Sequence, residues 1–92
     1  MNHIGVIGLG LLGSAIASRL SPGNQQLHGF DIDPAKREYA ISQGVSCHIS
    51  AMEVARLADV IILSLPEDRH VDEVLAIIRP SLKPHCIILD TT

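Results

Sequence analysis

Aromatic side chains are almost absent from this sequence, which has one Phe, one Tyr and no Trp. Its interior must therefore be built from Val, Ile, Leu and Ala, a set typical of strands that are buried on both faces of a sheet. The hydrophobic content of 47%, against 18% charged residues, favours a packed core over a disordered chain. At 92 residues the chain is one small domain with a modest core.

Basic clusters, long apolar runs and a cysteine framework are also missing. The net charge is −3, and without concentrated Lys and Arg we expect no nucleic-acid surface. The chain has neither an apolar run of membrane-spanning length nor the N-terminal pattern of a secretory signal. These absences predict a cytoplasmic protein that binds no membrane.

Potential metal ligands are few and scattered. Cys47 and Cys86 lie far apart in strand-like stretches, which predicts two buried free thiols rather than a disulfide or a metal site. His70 is expected to be a solvated helix residue, and the other four histidines lack metal-ligand spacing. We therefore expect no metal site.

Short apolar runs alternate with helix-like segments, which is the pattern of parallel βαβ units. Five strands are predicted at His3–Ile7, Leu27–Asp31, Val45–His48, Val60–Leu65 and Cys86–Asp90. Four helices are predicted at about Leu11–Leu20, Pro34–Ser42, Ser50–Leu57 and Asp68–Arg79. Right-handed crossovers then give an α/β fold, a partial Rossmann-type doubly wound parallel sheet with strand order 3-2-1-4-5.

Local signals mark the ends and faces of the helices. Asp33 is an N-cap candidate, Ser50 opens a capping box and Gly44 is a C-terminal stop. The segment Ser21-Pro22-Gly23-Asn24 ends the first helix. The predicted packed face of the first helix consists of Leu12, Ile16 and Leu20. That of the fourth helix consists of Val71, Val74, Leu75 and Ile78.

A glycine-rich turn, Gly8-Leu9-Gly10-Leu11-Leu12-Gly13, separates the first strand from the first helix. Such a turn presents backbone N–H groups at the positive end of a helix, where a pyrophosphate can bind. Gly8 allows the tight turn, Gly10 lets the phosphates approach, and Gly13 lets helix and strand pack closely. This turn predicts a dinucleotide-binding site.

Asp31, at the end of the second predicted strand, is placed to accept a hydrogen bond from a ribose 2′-hydroxyl. A carboxylate there repels the additional phosphate of NADP, so NAD is the expected cofactor. Lys36 and Arg37 follow one turn later and keep NADP as an alternative.

Two further stretches follow predicted strands, at the edge of the sheet where open α/β folds bind ligands. They are the loop at Leu65 and Pro66 and the stretch Asp90-Thr91-Thr92. For the loop at Leu65 and Pro66, ligand binding and an ordinary strand-to-helix connection are equally consistent with the sequence. For Asp90-Thr91-Thr92, ligand binding and a polar strand end are equally consistent with it.

Three stretches together resemble the N-terminal cofactor domain of the β-hydroxyacid dehydrogenase family, which includes 3-hydroxyisobutyrate and 6-phosphogluconate dehydrogenases. They are Ile4–Gly13, Ala58–Pro66 and Ile88–Thr92. The resemblance implies that Leu65 and Pro66 contact the nicotinamide-side ribose. It also implies that Thr92, where the family commonly has Ser, offers a hydroxyl to the substrate carboxylate. Leu12 stands where the family commonly has Met.

Members of that family continue into a helical domain that carries a catalytic Lys. The resemblance therefore implies that residues 1–92 are a partial cofactor domain, a truncated piece of an enzyme that transfers a hydride between a β-hydroxy acid and NAD. Such a piece is expected to bind cofactor weakly and to turn over nothing. Its exposed fifth strand and uncovered apolar helix faces are two surfaces through which a homo-oligomer is expected to form.

Three other functions are alternatives. A prephenate dehydrogenase cofactor domain has a similar glycine turn and acidic residue. An S-adenosylmethionine-dependent methyltransferase also combines a glycine-rich loop with an acidic strand end, although Val6 and Ile7 are apolar where such enzymes usually have an acidic residue. The third alternative is a non-catalytic nucleotide-sensing module.

Overall fold

The computed structural model describes residues 3–20, 23 and 25–92. Five strands, β1 to β5, lie at His3–Ile7, Gln26–Phe30, Ser46–Cys47, Val60–Leu63 and Ile87–Asp90. Four helices, α1 to α4, lie at Leu11–Leu20, Pro34–Ser42, Ala51–Leu57 and Asp68–Ile78, and a 3₁₀ turn follows at Arg79–Ser81. In this part of the chain none of the helices combines the length and the apolar character needed to cross a membrane.

The strands form one parallel sheet in the order β3-β2-β1-β4-β5. Val6 and Ile62 pack with residues of α1 and α2 on one face, whereas Ile7, Ile61 and Leu63 pack with α3 and α4 on the other. Helices on both faces of a parallel sheet define a doubly wound fold. The predicted fold class and strand order are confirmed.

The predicted helix caps are present. The carboxylate of Asp33 accepts a hydrogen bond from the Ala35 N–H at 2.9 Å, at the start of α2. The hydroxyl of Ser50 accepts one from the Glu53 N–H at 3.3 Å, at the start of α3. Gly44, with φ of +92°, directly follows the C-cap of α2. These local bonds explain why the helices begin and end where the sequence indicates.

The predicted stop at Ser21-Pro22-Gly23-Asn24 falls mostly outside the described residues. Gly23 is described, and its N–H donates to the Leu20 carbonyl at 3.0 Å, next to the end of α1.

Several strand ends differ from the prediction. β2 ends at Phe30 and β4 ends at Leu63, because both are paired with Ile7, the last residue of β1. Asp31 and Leu65 therefore lie in loops beyond their strands. β3 is shorter at both ends than predicted, β5 begins one residue later, and α4 ends one residue earlier.

The predicted packed face of α1 is wrong at Leu12, which is 51% exposed. Gly13 and Ala17 are buried instead, with Ile16 and Leu20 half-buried beside them. Small side chains allow α1 to approach the sheet closely, so the face with the smallest residues packs against it. The predicted face of α4 is confirmed, since all four of its residues pack in the core on their side of the sheet.

Both cysteines are free, as predicted, but they are half-buried rather than buried. Burial raises the pKa of the Cys47 and Cys86 thiols above the ordinary value. A raised pKa reduces the thiolate fraction at neutral pH, so neither thiol is activated for reaction.

Asp59 joins the start of β1 to the segment that precedes β5. Its carboxylate accepts hydrogen bonds from the His3 N–H at 3.2 Å and from Nζ of Lys83 at 3.1 Å. These bonds lower the pKa of Asp59 to about 2. Folding therefore favours the ionised form of this carboxyl group.

Replacing Asp59 by asparagine is expected to reduce the acid sensitivity of the chain. Because folding lowers its pKa, the carboxylate contributes stability that is complete above the ordinary pKa of 3.8 and is lost as pH falls through about 2. The free energy of unfolding in urea should fall less steeply between pH 5 and pH 2 in Asp59→Asn than in the unmodified chain. Asp72→Asn, at an exposed position of α4, is the matched control. Equal slopes in all three proteins would contradict this role.

Candidate dinucleotide-binding site

Gly8 lies where β1 turns toward α1, at the carboxyl edge of the sheet. Its φ of +98° is strained for any residue with a side chain. A Cβ at this position would lie 2.0 Å from the carbonyl oxygen of Ser64. The Gly8 N–H donates to the Phe30 carbonyl at 2.9 Å. The turn is thus held between the ends of β2 and β4.

The other two glycines of the turn have different surroundings. A Cβ at Gly13 would lie 1.9 Å from the Gly8 carbonyl oxygen, so the first turn of α1 packs directly on the loop. A Cβ at Gly10 would meet nothing within 4 Å. Gly13 is required by packing inside the protein, whereas the space beside Gly10 is open to a ligand.

The N-terminus of α1 opens to solvent at this edge. The first N–H groups of a helix have no intrahelical acceptor, and Ser14 is the residue whose N–H reaches back to the Gly10 carbonyl, at 2.9 Å. Leu11 is 93% exposed at the first position of the helix. Backbone donors and the positive end of the helix dipole together form an anion-binding arrangement.

Asp31 is fixed beside the turn by two backbone hydrogen bonds. One carboxylate oxygen accepts from the Leu9 N–H at 2.8 Å and the other from the Asp33 N–H at 2.9 Å. Each oxygen retains a second lone pair that can accept from a ligand hydroxyl. The N–H of Leu9 is therefore committed to Asp31 and its side chain is only 1% exposed, so Leu9 supports the site from inside.

Basic side chains border this carboxylate. Arg37 donates from Nη1 to the Asp31 carbonyl at 2.6 Å, which fastens the start of α2 to the end of β2. Lys36 lines an open groove of about 610 Å³ between α1 and α2, together with Gly10 and Tyr39. The two basic residues that keep NADP as an alternative cofactor thus lie close to the turn. Arg37 already donates a hydrogen bond to the backbone at Asp31.

The structure also brings together the Leu65 loop and Thr92. The Leu65 N–H donates to the Thr92 hydroxyl oxygen at 3.1 Å. Beside it, the Thr91 hydroxyl donates to the Leu63 carbonyl at 2.7 Å. Pro66 follows in an exposed position. Because the Thr92 hydroxyl oxygen accepts from the Leu65 N–H, the hydroxyl proton of Thr92 is available to donate a hydrogen bond to another acceptor.

Near this edge Ser14 was not predicted from the sequence, and the prediction for His70 is wrong. The Ser14 hydroxyl donates to the Leu9 carbonyl at 2.9 Å, which ties α1 to the turn; its only signal was a hydroxyl directly after the third glycine. His70 is half-buried rather than solvated. Within the described residues, its Nδ1 is a buried side-chain nitrogen that makes no hydrogen bond.

A parallel sheet of this order, with a glycine-rich turn that opens onto a helix N-terminus, defines the Rossmann class of nucleotide-binding domains. The sequence pattern of one family in that class, the NAD-binding domain of 6-phosphogluconate dehydrogenase, matches residues 3–92. The chain belongs to this family.

Individual relatives agree with the family. The chain is 33% identical over 70 residues to mitochondrial 3-hydroxyisobutyrate dehydrogenase of Drosophila melanogaster. This match covers 76% of this chain and 22% of the relative. It is 35% identical over 72 residues to 2-hydroxy-3-oxopropionate reductase of Escherichia coli, covering 78% of this chain and 24% of the relative.

A solved structure shows the same fold in detail. The 3-hydroxyisobutyrate dehydrogenase of Mycobacterium tuberculosis, determined with L-serine, superposes with a TM-score of 0.95 at 28% identity. The match covers 99% of this chain and 31% of that protein. The chain therefore spans about a quarter of the curated relatives and under a third of this structure.

Proposed function

We propose that residues 1–92 are the cofactor-binding part of an oxidoreductase that transfers a hydride between a β-hydroxy acid and NAD. The observation that carries this proposal is the 2.8 Å hydrogen bond between Asp31 and the Leu9 N–H. It places a carboxylate beside an anion-binding helix terminus, and a dinucleotide offers both a pyrophosphate and a ribose hydroxyl within one molecule. The family to which the chain belongs supports the same assignment.

In this proposal the pyrophosphate lies over Gly10 and accepts hydrogen bonds from backbone N–H groups in the first turn of α1, around Leu11 and Leu12. The adenosine ribose donates a hydroxyl to the free lone pairs of Asp31. The negative charge at Asp31 disfavours the additional phosphate of NADP, so NAD is the preferred cofactor and NADP the weaker one.

The second ribose and the substrate are assigned to the neighbouring loops. Leu65 and Pro66 line the cofactor at the nicotinamide end, and the Thr92 hydroxyl donates its remaining proton to the substrate carboxylate. NAD supplies the hydride chemistry when it is bound. The proton of the substrate hydroxyl is assigned to a Lys in a longer parent protein, so residues 1–92 alone bind cofactor weakly and turn over nothing.

Titration calorimetry with four ligands tests the proposal. NAD⁺ and NADH should each bind with measurable heat, NADP⁺ should bind more weakly, and S-adenosylmethionine should give no heat. Heat with S-adenosylmethionine alone would assign the site to a methyltransferase. No heat with any nicotinamide nucleotide would overturn the proposal.

We also propose that the chain self-associates through the edge strand β5. Ile87 is 57% exposed and Leu89 50% exposed on this strand, and an unpaired edge can pair with a second chain. Light scattering at increasing concentration should show dimers or larger assemblies. Leu89→Lys should shift them toward monomer, whereas Ile77→Lys, at the 52% exposed residue of α4, should not. A monomer at every concentration would contradict this proposal.

A further inference from the structure

Three histidines that are distant in the sequence form a continuous line of rings across β1, β2 and the residue that directly follows β3. Nδ1 of His3 lies 2.9 Å from Nε2 of His28, and Nδ1 of His28 lies 2.9 Å from Nε2 of His48. Both pairs of ring centroids are 5.1 Å apart. We call these three residues the histidine clasp.

The clasp lies on the sheet face that α3 covers. His28 is in register with Gly5 of β1, and a Cβ at Gly5 would point at Val54 of α3. His28 is only 6% exposed. His3 stands at the opposite end of β1 from the glycine-rich turn, so the clasp is separate from the proposed cofactor site.

Counting protons shows how much charge the clasp can hold. Each of the two nitrogen–nitrogen contacts needs one proton, because two N–H groups facing each other repel and two bare nitrogens do not bond. Three neutral rings carry three protons: one in each contact and one on an outer nitrogen. A fourth proton fits on the other outer nitrogen. A fifth requires a contact to break, so the intact clasp carries at most one positive charge.

Charged groups surround the clasp from several elements. Glu53 of α3 accepts from the Ile49 N–H at 3.2 Å and lies 4.0 Å from the outer nitrogen of His48, so its negative charge favours a proton on that nitrogen. Asp59, before β4, accepts from the His3 N–H. Lys83, before β5, adds positive charge. Burial, and then the charges of His48, His3 and Lys83, lower the pKa of His28.

We propose that the histidine clasp is a pH-sensitive element that fastens β3 to the sheet, accepts one proton, and opens when a second proton binds. β3 has only two residues paired with β2, so few other bonds hold it. The His48 N–H donates to the Gly29 carbonyl at 3.0 Å. Opening of the clasp is therefore expected to break this hydrogen bond and expose the amide to solvent.

The sign of the effect follows from the proton count. Above the ordinary histidine pKa of 6.5 the folded and unfolded chains bind similar numbers of protons at these rings. Below it the unfolded chain takes up three additional protons, one on each ring, whereas the closed clasp takes up only one additional proton, so acid favours unfolding. Each excluded proton raises the unfolding equilibrium constant by about tenfold between pH 7.5 and pH 5.5.

Urea unfolding at these two pH values tests the proposal with four proteins. The unmodified chain excludes two protons, and its unfolding constant should rise by up to about a hundredfold. His48→Gln leaves one contact and one excluded proton, so the rise should be about tenfold. His28→Gln leaves no ring-to-ring contact and no excluded proton, so the rise in the unfolding constant should nearly vanish. His85→Gln replaces an exposed histidine outside the clasp and should match the unmodified chain.

Hydrogen exchange and ring nitrogen NMR of the unmodified chain give a readout that needs no variant to fold. The His48 amide should lose protection on acidification before the amides of β1 and β4 do. While the clasp is closed, only one of the three rings should become charged below pH 6.5, and His28 should be among the two that stay neutral. Equal pH dependence in His28→Gln and His85→Gln, or three rings that titrate independently at the ordinary pKa, would overturn the proposal.

Discussion

Replacing Gly13 by alanine is expected to destabilise or unfold the chain. A Cβ there would lie 1.9 Å from the Gly8 carbonyl oxygen, and this backbone atom cannot move without breaking the turn. Overpacking typically costs about 1–3 kcal/mol, and a clash with a backbone atom falls at the upper end of that range, which is a large part of the stability of a small domain. Urea unfolding followed by circular dichroism measures the loss, and NAD binding should disappear with the fold.

Gly10→Ala is the matched control for this prediction. Its Cβ would meet no protein atom within 4 Å, so the free energy of unfolding should change by less than about 0.5 kcal/mol. The methyl group would instead occupy the space assigned to the pyrophosphate, and NAD affinity should fall at least about tenfold, which corresponds to ~1.4 kcal/mol. Wild-type stability in Gly13→Ala, or unchanged NAD affinity in Gly10→Ala, would contradict the roles given to the two glycines.

Replacing Asp31 by alanine is expected to have the second large effect, on NAD affinity. The variant loses the acceptor for the ribose hydroxyl, and hydrogen bonds to charged groups contribute about 1.5–3 kcal/mol, or roughly tenfold to a hundredfold in Kd. It also leaves the N–H of Leu9 without its acceptor, so stability should fall by about 1–3 kcal/mol. Calorimetry and urea unfolding measure the two losses separately.

Two further variants separate the charge of Asp31 from its structural role. Asp31→Asn keeps an acceptor for the Leu9 N–H, and removing the negative charge should narrow the preference for NAD over NADP. Asp33→Ala removes only the N-cap of α2, which costs about 1 kcal/mol of stability, and should leave NAD affinity unchanged. A loss of NAD affinity in Asp33→Ala as large as that in Asp31→Ala would contradict the assignment of Asp31.

The parts of the fold that local chemistry determines were predictable from the sequence. The caps at Asp33 and Ser50 are bonds between residues two or three apart, so the spacing of polar and apolar residues reveals them. The glycine-rich turn is also local, and its position between a strand and a helix predicted both the fold and the candidate site. The strand order then followed from the handedness of the crossovers.

The sequence prediction was wrong or incomplete where tertiary packing determines which residues meet. In α1 the spacing of large apolar residues predicted a packed face containing Leu12, but the sheet selects Gly13 and Ala17 because small residues allow close approach. The histidine clasp depends on strand register, since His3 and His28 meet only through the pairing of β1 with β2. The bond between Leu65 and Thr92 likewise joins the ends of two strands, and no sequence spacing encodes it.

In the proposed function, backbone N–H groups at the start of α1 and the carboxylate of Asp31 together bind NAD. Amide chemical shifts of the chain, followed by NMR during a titration with NAD⁺, test this binding residue by residue. We expect saturable shifts concentrated at Gly10–Gly13 and around Asp31, with little change at the histidine clasp. Absence of saturable shifts, or shifts confined to residues outside the glycine-rich turn, would contradict it.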